Sequence, residues 1–247
     1  MSGAGVSVAG PAALDESLRL LRKVAAEQGA DGYVPLSTNP YRGHHLLAAA
    51  VLDHTPPDGV VLEGGVSSGY FARVLTAAGR TVDGVELDPA EAEVAAAVCR
   101  RVHVGDLGTV GPADLAGPYD ALVFGDTLEH LVDPSATLRR LTGALRPGGV
   151  VVASIPNVAE AGNRLRLLRG RWDYADRGIL DRTHLRFFTH RTVQDLFTGA
   201  GLEVLAVDGY VRAGLAGERW SRAVHRVGNL RPGFFAYTFV VVARTAG

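Results

Sequence analysis

From Val60 onward, short apolar runs alternate with stretches of helical periodicity, and no other feature of the chain restricts its fold as tightly. The runs are Val60-Val-Leu, Thr81–Glu86, Val102–Val104, Ala121–Phe124, Val150–Ser154, Leu202–Asp208 and Phe235–Ala243. Strands read as nearly continuous hydrophobic runs when helices cover both faces of a parallel sheet, and parallel pairing itself requires crossovers long enough to hold a helix. The expected architecture is therefore α/β, with a seven-stranded sheet, mostly parallel, and helices on both faces. The last run follows the break Leu230-Arg-Pro-Gly, and a hairpin-like return there makes the final strand antiparallel to its neighbour.

Two helices are expected ahead of this core. Leu14, Leu18, Leu21 and Ala25 recur at helical spacing between Ala12 and Glu27, and a second helix runs from Gly43 to His54, beyond a Gly/Pro-rich break at Gly29 to Pro40. The chain divides into an N-terminal helical lid at 1–57 and a core at 58–247. Between Pro156 and His190 the alternation lapses for longer than an ordinary loop, which marks about 156–190 as a substrate-binding insertion. At 247 residues, 47% hydrophobic and 21% charged, such a domain can bury its core without staples. The single cysteine, Cys99, lies in an apolar stretch read as helical (Glu91 to Arg101) and has no partner for a disulfide or thiolate zinc site, which fits a reducing cytoplasm. No run of 18 apolar residues appears and Met1 to Gly10 lacks signal-peptide character, so the expectation is a cytoplasmic chain without a membrane partner. A net charge of −1 provides no global field for nucleic acid, which is not expected as a partner. Oligomeric state is not legible.

The segment Val61-Leu-Glu-Gly-Gly-Val-Ser-Ser-Gly-Tyr-Phe follows a strand and opens a helix, with small residues at Gly65, Ser67 and Gly69 where the backbone must turn sharply beside a ligand. Glu86 ends the next strand, where an acid accepts hydrogen bonds from the hydroxyls of an adenosine ribose; this suits NAD and S-adenosylmethionine (SAM) alike. Asp106, after the third strand, either accepts from an adenine amino group or caps a helix. With these motifs in this order, the chain resembles the class I SAM-dependent methyltransferase family from about Val60 to Asp208. The resemblance implies a Rossmann-like sheet and SAM as cofactor. It places the family's glycine motif on Glu63, Gly65, Ser67 and Gly69, its ribose acid on Glu86, its adenine acid on Asp106 and its pre-strand turn on Leu145-Arg-Pro-Gly-Gly149. It also implies that Glu63 and Gly65 lie near the methionine portion of SAM. Ser67 stands where glycine is commoner. A strict G-x-G-x-x-G, expected to receive a pyrophosphate, is absent, which argues against a dinucleotide oxidoreductase.

Asp126-Thr-Leu-Glu129-His130 follows the fourth strand, at the sheet edge where α/β enzymes hold their ligands. A helix starting there would put Asp126, Glu129 and His130 on one face; the same spacing is also a capping box. His184 sits in Leu180-Asp-Arg-Thr-His-Leu-Arg-Phe-Phe-Thr, inside the insertion. Asp126, Glu129, His130 and His184 together would make an oxygen/nitrogen site for Mg²⁺ or Mn²⁺. This pattern resembles the metal site of small-RNA 2′-O-methyltransferases, with Asp126 where that family has glutamate, and the Leu-Glu-His stretch is also similar to ubiquinone-pathway O-methyltransferases. Without a metal, His184 or His130 is the candidate catalytic base. His44, His45, His54, His103, His190 and His225 have no comparable setting and stay unassigned.

Arginines from Arg164 to Arg191 interleave with Trp172, Tyr174, Phe187 and Phe188, and Trp172, Tyr174, Arg182 and Arg186 are the expected substrate-binding residues. The alternative is an amphipathic helix with Arg164 to Arg169 solvated and Leu165, Leu167 and Leu168 inside. Arginines and aromatics together suit an anionic or glycosylated acceptor, and with no added nucleic-acid domain or basic tail a sugar-like small molecule is expected rather than RNA. The run Asn163 to Thr189 also resembles methyltransferases of bacterial glycan, glycolipid and antibiotic biosynthesis. Tyr33 and Tyr41 either fold over SAM or pack on the first helix. Three readings stand: a metal-assisted O-methyltransferase, a metal-independent O- or N-methyltransferase with a histidine base, and a SAM-binding regulatory protein without catalysis.

Overall fold

The computed structural model describes residues 7–28, 42–212 and 220–245. Tyr33 and Tyr41 lie outside these described residues. The chain opens with two helices, α1 (Pro11–Gln28) and α2 (Gly43–His54). Strands and helices then alternate: β1 (Val60–Gly64), α3 (Tyr70–Ala77), β2 (Thr81–Glu86), α4 (Pro89–Ala95), β3 (Arg101–Val104), β4 (Tyr119–Gly125), α5 (Pro134–Leu141) and β5 (Leu145–Pro156). After α6 (Ala161–Leu168) come α7 (His190–Gly199), β6 (Leu202–Tyr210), α8 (Ser221–Gly228), the short α9 (Pro232–Phe235) and β7 (Thr238–Thr245).

The seven strands form one sheet in the order β3-β2-β1-β4-β5-β7-β6. β1 to β5 are parallel, and β7 runs antiparallel to both β5 and β6. The expected seven-stranded mixed sheet is what forms, with β7 inserted between its two predecessors. Each strand divides its side chains between two cores, as the period of two dictates. Val61, Ala121, Val123, Val150, Val152, Val240 and Val242 pack under α1, α2 and α3. Their neighbours Leu62, Leu122, Phe124, Val151, Ala153, Val241 and Ala243 pack under α5 and α7.

Several boundaries differ from the sequence reading, and Leu145–Gly149, expected as a turn ahead of the fifth strand, is already part of β5. The stretch Glu91 to Arg101 is not helical throughout: α4 ends at Ala95, and Arg101 pairs with Asp83 as the first residue of β3. Arg100, just before it, closes a two-pronged hydrogen bond on the buried Asp83, which also accepts from Tyr119 Oη at 2.9 Å, so a polar tie rather than helical periodicity positions this segment. Phe235 is not in the last strand; Pro232 begins a helical turn that holds Phe235, and β7 starts at Thr238. Cys99 is buried, and burial pushes its thiol pKa up to about 12, which leaves it inert.

Candidate active site

The strand order reverses between β1 and β4, and their carboxyl ends lie side by side, Gly64 opposite Phe124. Such a switch point opens a crevice at the sheet edge. Thr127 Oγ1, in the loop after β4, donates to the carbonyl of Gly64 at 3.0 Å and so stitches the two loops together. Gly65 has a φ of +73°, and a Cβ there would fall 2.9 Å from Thr127 Cγ2, so only glycine suits the place. Ser67 also holds a left-handed conformation, with φ +47°. The departure from glycine at this position thus keeps the backbone that glycine would adopt, against a steric cost of about 1 kcal/mol. Gly69, at φ +79°, sets the N-terminus of α3 against Ala95.

Glu86 stands at the end of β2, where one carboxylate oxygen accepts from Ser67 N at 2.7 Å and the other from Leu87 N and Asp88 N. The glycine turn and the acid are therefore physically joined. Asp106 is exposed and accepts from Gly108 N at 2.7 Å; it shapes a turn, and no α-helix follows it to be capped. Glu63 is buried at 5% exposure with Oε2 lacking any hydrogen-bond partner. Burial, reinforced by the charge of Glu86, holds its pKa well above the ordinary carboxylate range. An orphaned buried carboxylate at this edge fits a ligand that brings positive charge, as the ammonium and sulfonium of SAM do.

The helix expected from Asp126 does not form there. Asp126 adopts φ +49°, residues Leu128–His130 make one 3₁₀ turn, and the α-helix begins only at Pro134, capped by Asp133. The capping-box alternative falls with it. Asp126 is instead held by Ser154, whose Oγ donates to Asp126 Oδ1 at 3.0 Å, and its other oxygen lies 3.9 Å from His44 Nε2. Sequence reasoning left His44 unassigned; 82 positions separate it from Asp126, and nothing in the chain signals their meeting.

Glu129 points into the protein. It is 1% exposed, neither carboxylate oxygen has a hydrogen-bond partner, and His184 Nε2 stands 3.9 Å from Oε1. Burial first, and the nearby Asp126 second, raise its pKa well above the usual value. The backbone carbonyl of Glu129 accepts from both Leu185 N and Arg186 N at 2.9 Å, which clamps the insertion onto the 3₁₀ turn. His184 Nδ1 donates to the Ile179 carbonyl at 3.1 Å, so its lone pair sits on Nε2, facing Glu129. His130 Nδ1 donates to the Thr183 carbonyl at 3.2 Å, beside a Thr183 hydroxyl that donates to Asp181 at 2.7 Å. Ligand atoms of Glu129, His130 and His184 all lie within 4.8 Å of one another, and Asp126 stands outside that group. One carboxylate and two imidazoles, each ring pinned through Nδ1, is a donor set that fits a divalent cation.

Of the expected substrate residues, Trp172 packs edge-on against Phe187, with ring centroids 5.3 Å apart, and Phe187 lies 6.3 Å from the His184 ring. Arg182 pairs with Asp176 at 2.7 Å, and Arg186 donates to the carbonyl of Val132 at 2.9 Å. Tyr174 is exposed. The leucines that an amphipathic α6 would bury are not inside: Leu165, Leu167 and Leu168 are 49%, 57% and 83% exposed.

A parallel sheet reversed at β1/β4, extended by an antiparallel β7 and carrying a glycine turn joined to an acid on β2, defines the class I methyltransferases. A model of a methyltransferase-domain family matches residues 38–207, and the chain belongs to that family. A ubiquinone biosynthesis O-methyltransferase of Vibrio parahaemolyticus is 30% identical over 133 residues, covering 48% of this chain and 52% of that protein. An uncharacterized methyltransferase of Mycolicibacterium gilvum is 33% identical over 165 residues, covering 60% of this chain and 59% of the relative. The chain thus spans little more than half the length of these relatives. Among solved structures, magnesium protoporphyrin IX methyltransferase from Synechocystis, with bound S-adenosylhomocysteine, shares the fold at a TM-score of 0.58 and 15% identity, over 96% of this chain and 95% of that one.

Proposed function

We propose that the protein transfers a methyl group from SAM to a hydroxyl of a sugar-like or other small polyhydroxylated molecule, and that Glu129, His130 and His184 hold a divalent cation where the acceptor binds. The observation that carries this reading is the Glu129 carboxylate, buried with both oxygens unpartnered and aimed at the free nitrogen of His184. A buried carboxylate left so is costly unless something charged completes it. The name of the Vibrio relative, an O-methyltransferase, supports the choice of oxygen.

SAM, when bound, supplies an electrophilic methyl, and the cation a positive charge that lowers the pKa of a hydroxyl. The chain's own part is alignment and the exclusion of water. In this reading Gly65, Ser67 and Gly69 allow the cofactor to approach the backbone, Glu86 accepts from its ribose, Asp106 from its adenine, and Glu63 faces its ammonium. Trp172 and Tyr174 present aromatic faces to the acceptor, and Arg182 and Arg186 complement anionic groups on it. A second reading rests on the same pinned tautomer: His184 Nε2, unprotonated and partly shielded from water, is a competent base without any metal.

Chelation separates the two. With a methyl acceptor identified by screening, EDTA should abolish turnover, Mg²⁺ or Mn²⁺ should restore it, and calorimetric affinity for SAM should stay unchanged throughout. Full turnover in EDTA, together with its loss in His184→Ala, would replace the cation with the histidine base.

A further inference from the structure

Residues 164–177 form an unbroken exposed run beside the clustered histidines. Five of its fourteen residues are large and apolar (Leu165, Leu167, Leu168, Trp172 and Tyr174), which is the reverse of what a solvated loop selects. More of the same chemistry surrounds it. Arg164 lies over the ring of Phe234 at 5.5 Å, joining α6 to the half-exposed Phe234 and Phe235 of α9. On the other side, Trp172 packs on Phe187, and Arg186 reaches the carbonyl of the exposed Val132.

The charge of this face singles out an occupant. Between Pro156 and Arg191 there are eight arginines against four acids, in a chain whose net charge is −1. The side chains of Arg166 and Arg169, interleaved with the α6 leucines, have no hydrogen-bond or ion-pair partner among the described residues. Leu165 and Leu168 share one side of α6 by their three-residue spacing, and Arg166 and Arg169 repeat that spacing one position on. Apolar side chains flanked by unpaired arginines complement a layer that is apolar within and anionic at its surface.

We infer that α6 and the loop through Arg177 dock on the surface of a bilayer containing anionic phospholipid, the leucines entering the headgroup boundary and the arginines meeting phosphates. No helix among the described residues is long and apolar enough to cross a membrane, so the contact is peripheral. The binding stands on the surface alone. Its consequence, that the methyl acceptor is carried at a membrane surface, rests on the function proposed above.

Sedimentation with vesicles tests the binding without any acceptor. The full chain should pellet with phosphatidylcholine vesicles containing about 30 mol% phosphatidylglycerol and stay in solution with phosphatidylcholine alone; raised salt should release part of it. The pair Leu165→Glu/Leu168→Glu, and separately Arg166→Glu/Arg169→Glu, should each lower the bound fraction about tenfold. Unchanged SAM affinity by calorimetry and an unchanged melting temperature would show both variants folded. Absence of binding to anionic vesicles would overturn the inference and leave the methyl-transfer reading untouched. So would a dimer in solution that Leu165→Glu/Leu168→Glu dissociates, because the face would then belong to a second copy.

Discussion

His45 shows how a single side chain sets a response to acid. It lies in the first turn of α2, 4% exposed, with Nδ1 unpartnered, and burial takes its pKa down to about 4. The unfolded chain protonates this ring near pH 6.5, whereas the folded chain resists down to about pH 4. Above pH 6.5 both states are neutral and His45 does not influence stability. Between those two values the unfolded state binds the extra proton, so stability falls as pH falls, at about 1.4 kcal/mol per pH unit. His45→Leu should remove this slope. Thermal melts at pH 7 and pH 5 should show the wild type losing about 2 kcal/mol more than the variant; parallel losses would contradict the burial argument. At this same scale the sequence was unevenly legible. Gly65, Ser67 and Gly69 lie along one strand-turn-helix unit and Glu86 ends the next strand, a spacing short enough for local pattern to relate them. The approach of His44 to Asp126, and the carbonyl of Ile179 that fixes the His184 tautomer, depend on tertiary placement and left no trace in local pattern.

At the scale of elements, strand existence was written in apolar runs and helix starts in caps, but the two signals competed after β4. Asp126 and Glu129 offered a cap and a helix face, yet Asp133-Pro134 carries the stronger start, an N-cap acid followed by proline at the first helical position. The chain uses the later one, and the intervening residues become a 3₁₀ turn held by Leu185 N and Arg186 N. That turn and the glycine loop form one unit through Thr127. Gly65→Ala should therefore act on both. Its Cβ would press on Thr127 while its backbone is held at φ +73°, a conformation costing an L residue about 1–2 kcal/mol. The expected outcome is a SAM affinity lowered at least tenfold and a lower melting temperature, read by calorimetry and thermal melting. Retained affinity would mean that the loop gives way without disturbing the cofactor site.

For the molecule as a whole, the feature that alternation could not settle is where the last strand lies. A hairpin-like return predicted antiparallel pairing with one neighbour, but β7 pairs with two, filling the gap between β5 and β6. Pairing across that gap brings together residues far apart in sequence, such as Val150 with Arg244, and no window of local pattern reports it. The consequence is that the final segment completes both cores. Phe239, Val240, Val241, Val242 and Ala243 are fully buried and alternate between the two faces. Burial of each large side chain contributes about 1.5–3 kcal/mol, so together they match the roughly 5–15 kcal/mol by which a domain is stable. A chain ending at Tyr237 would also leave β6 without β7, its one strand neighbour among the described residues. Such a truncation should lose the cooperative thermal transition and near-ultraviolet circular dichroism of the full chain, even though β1 to β5 and every residue proposed to touch SAM remain. A cooperative melt within a few degrees of the full-length protein would instead show that the parallel half folds by itself and that β6 and β7 are an addition to it.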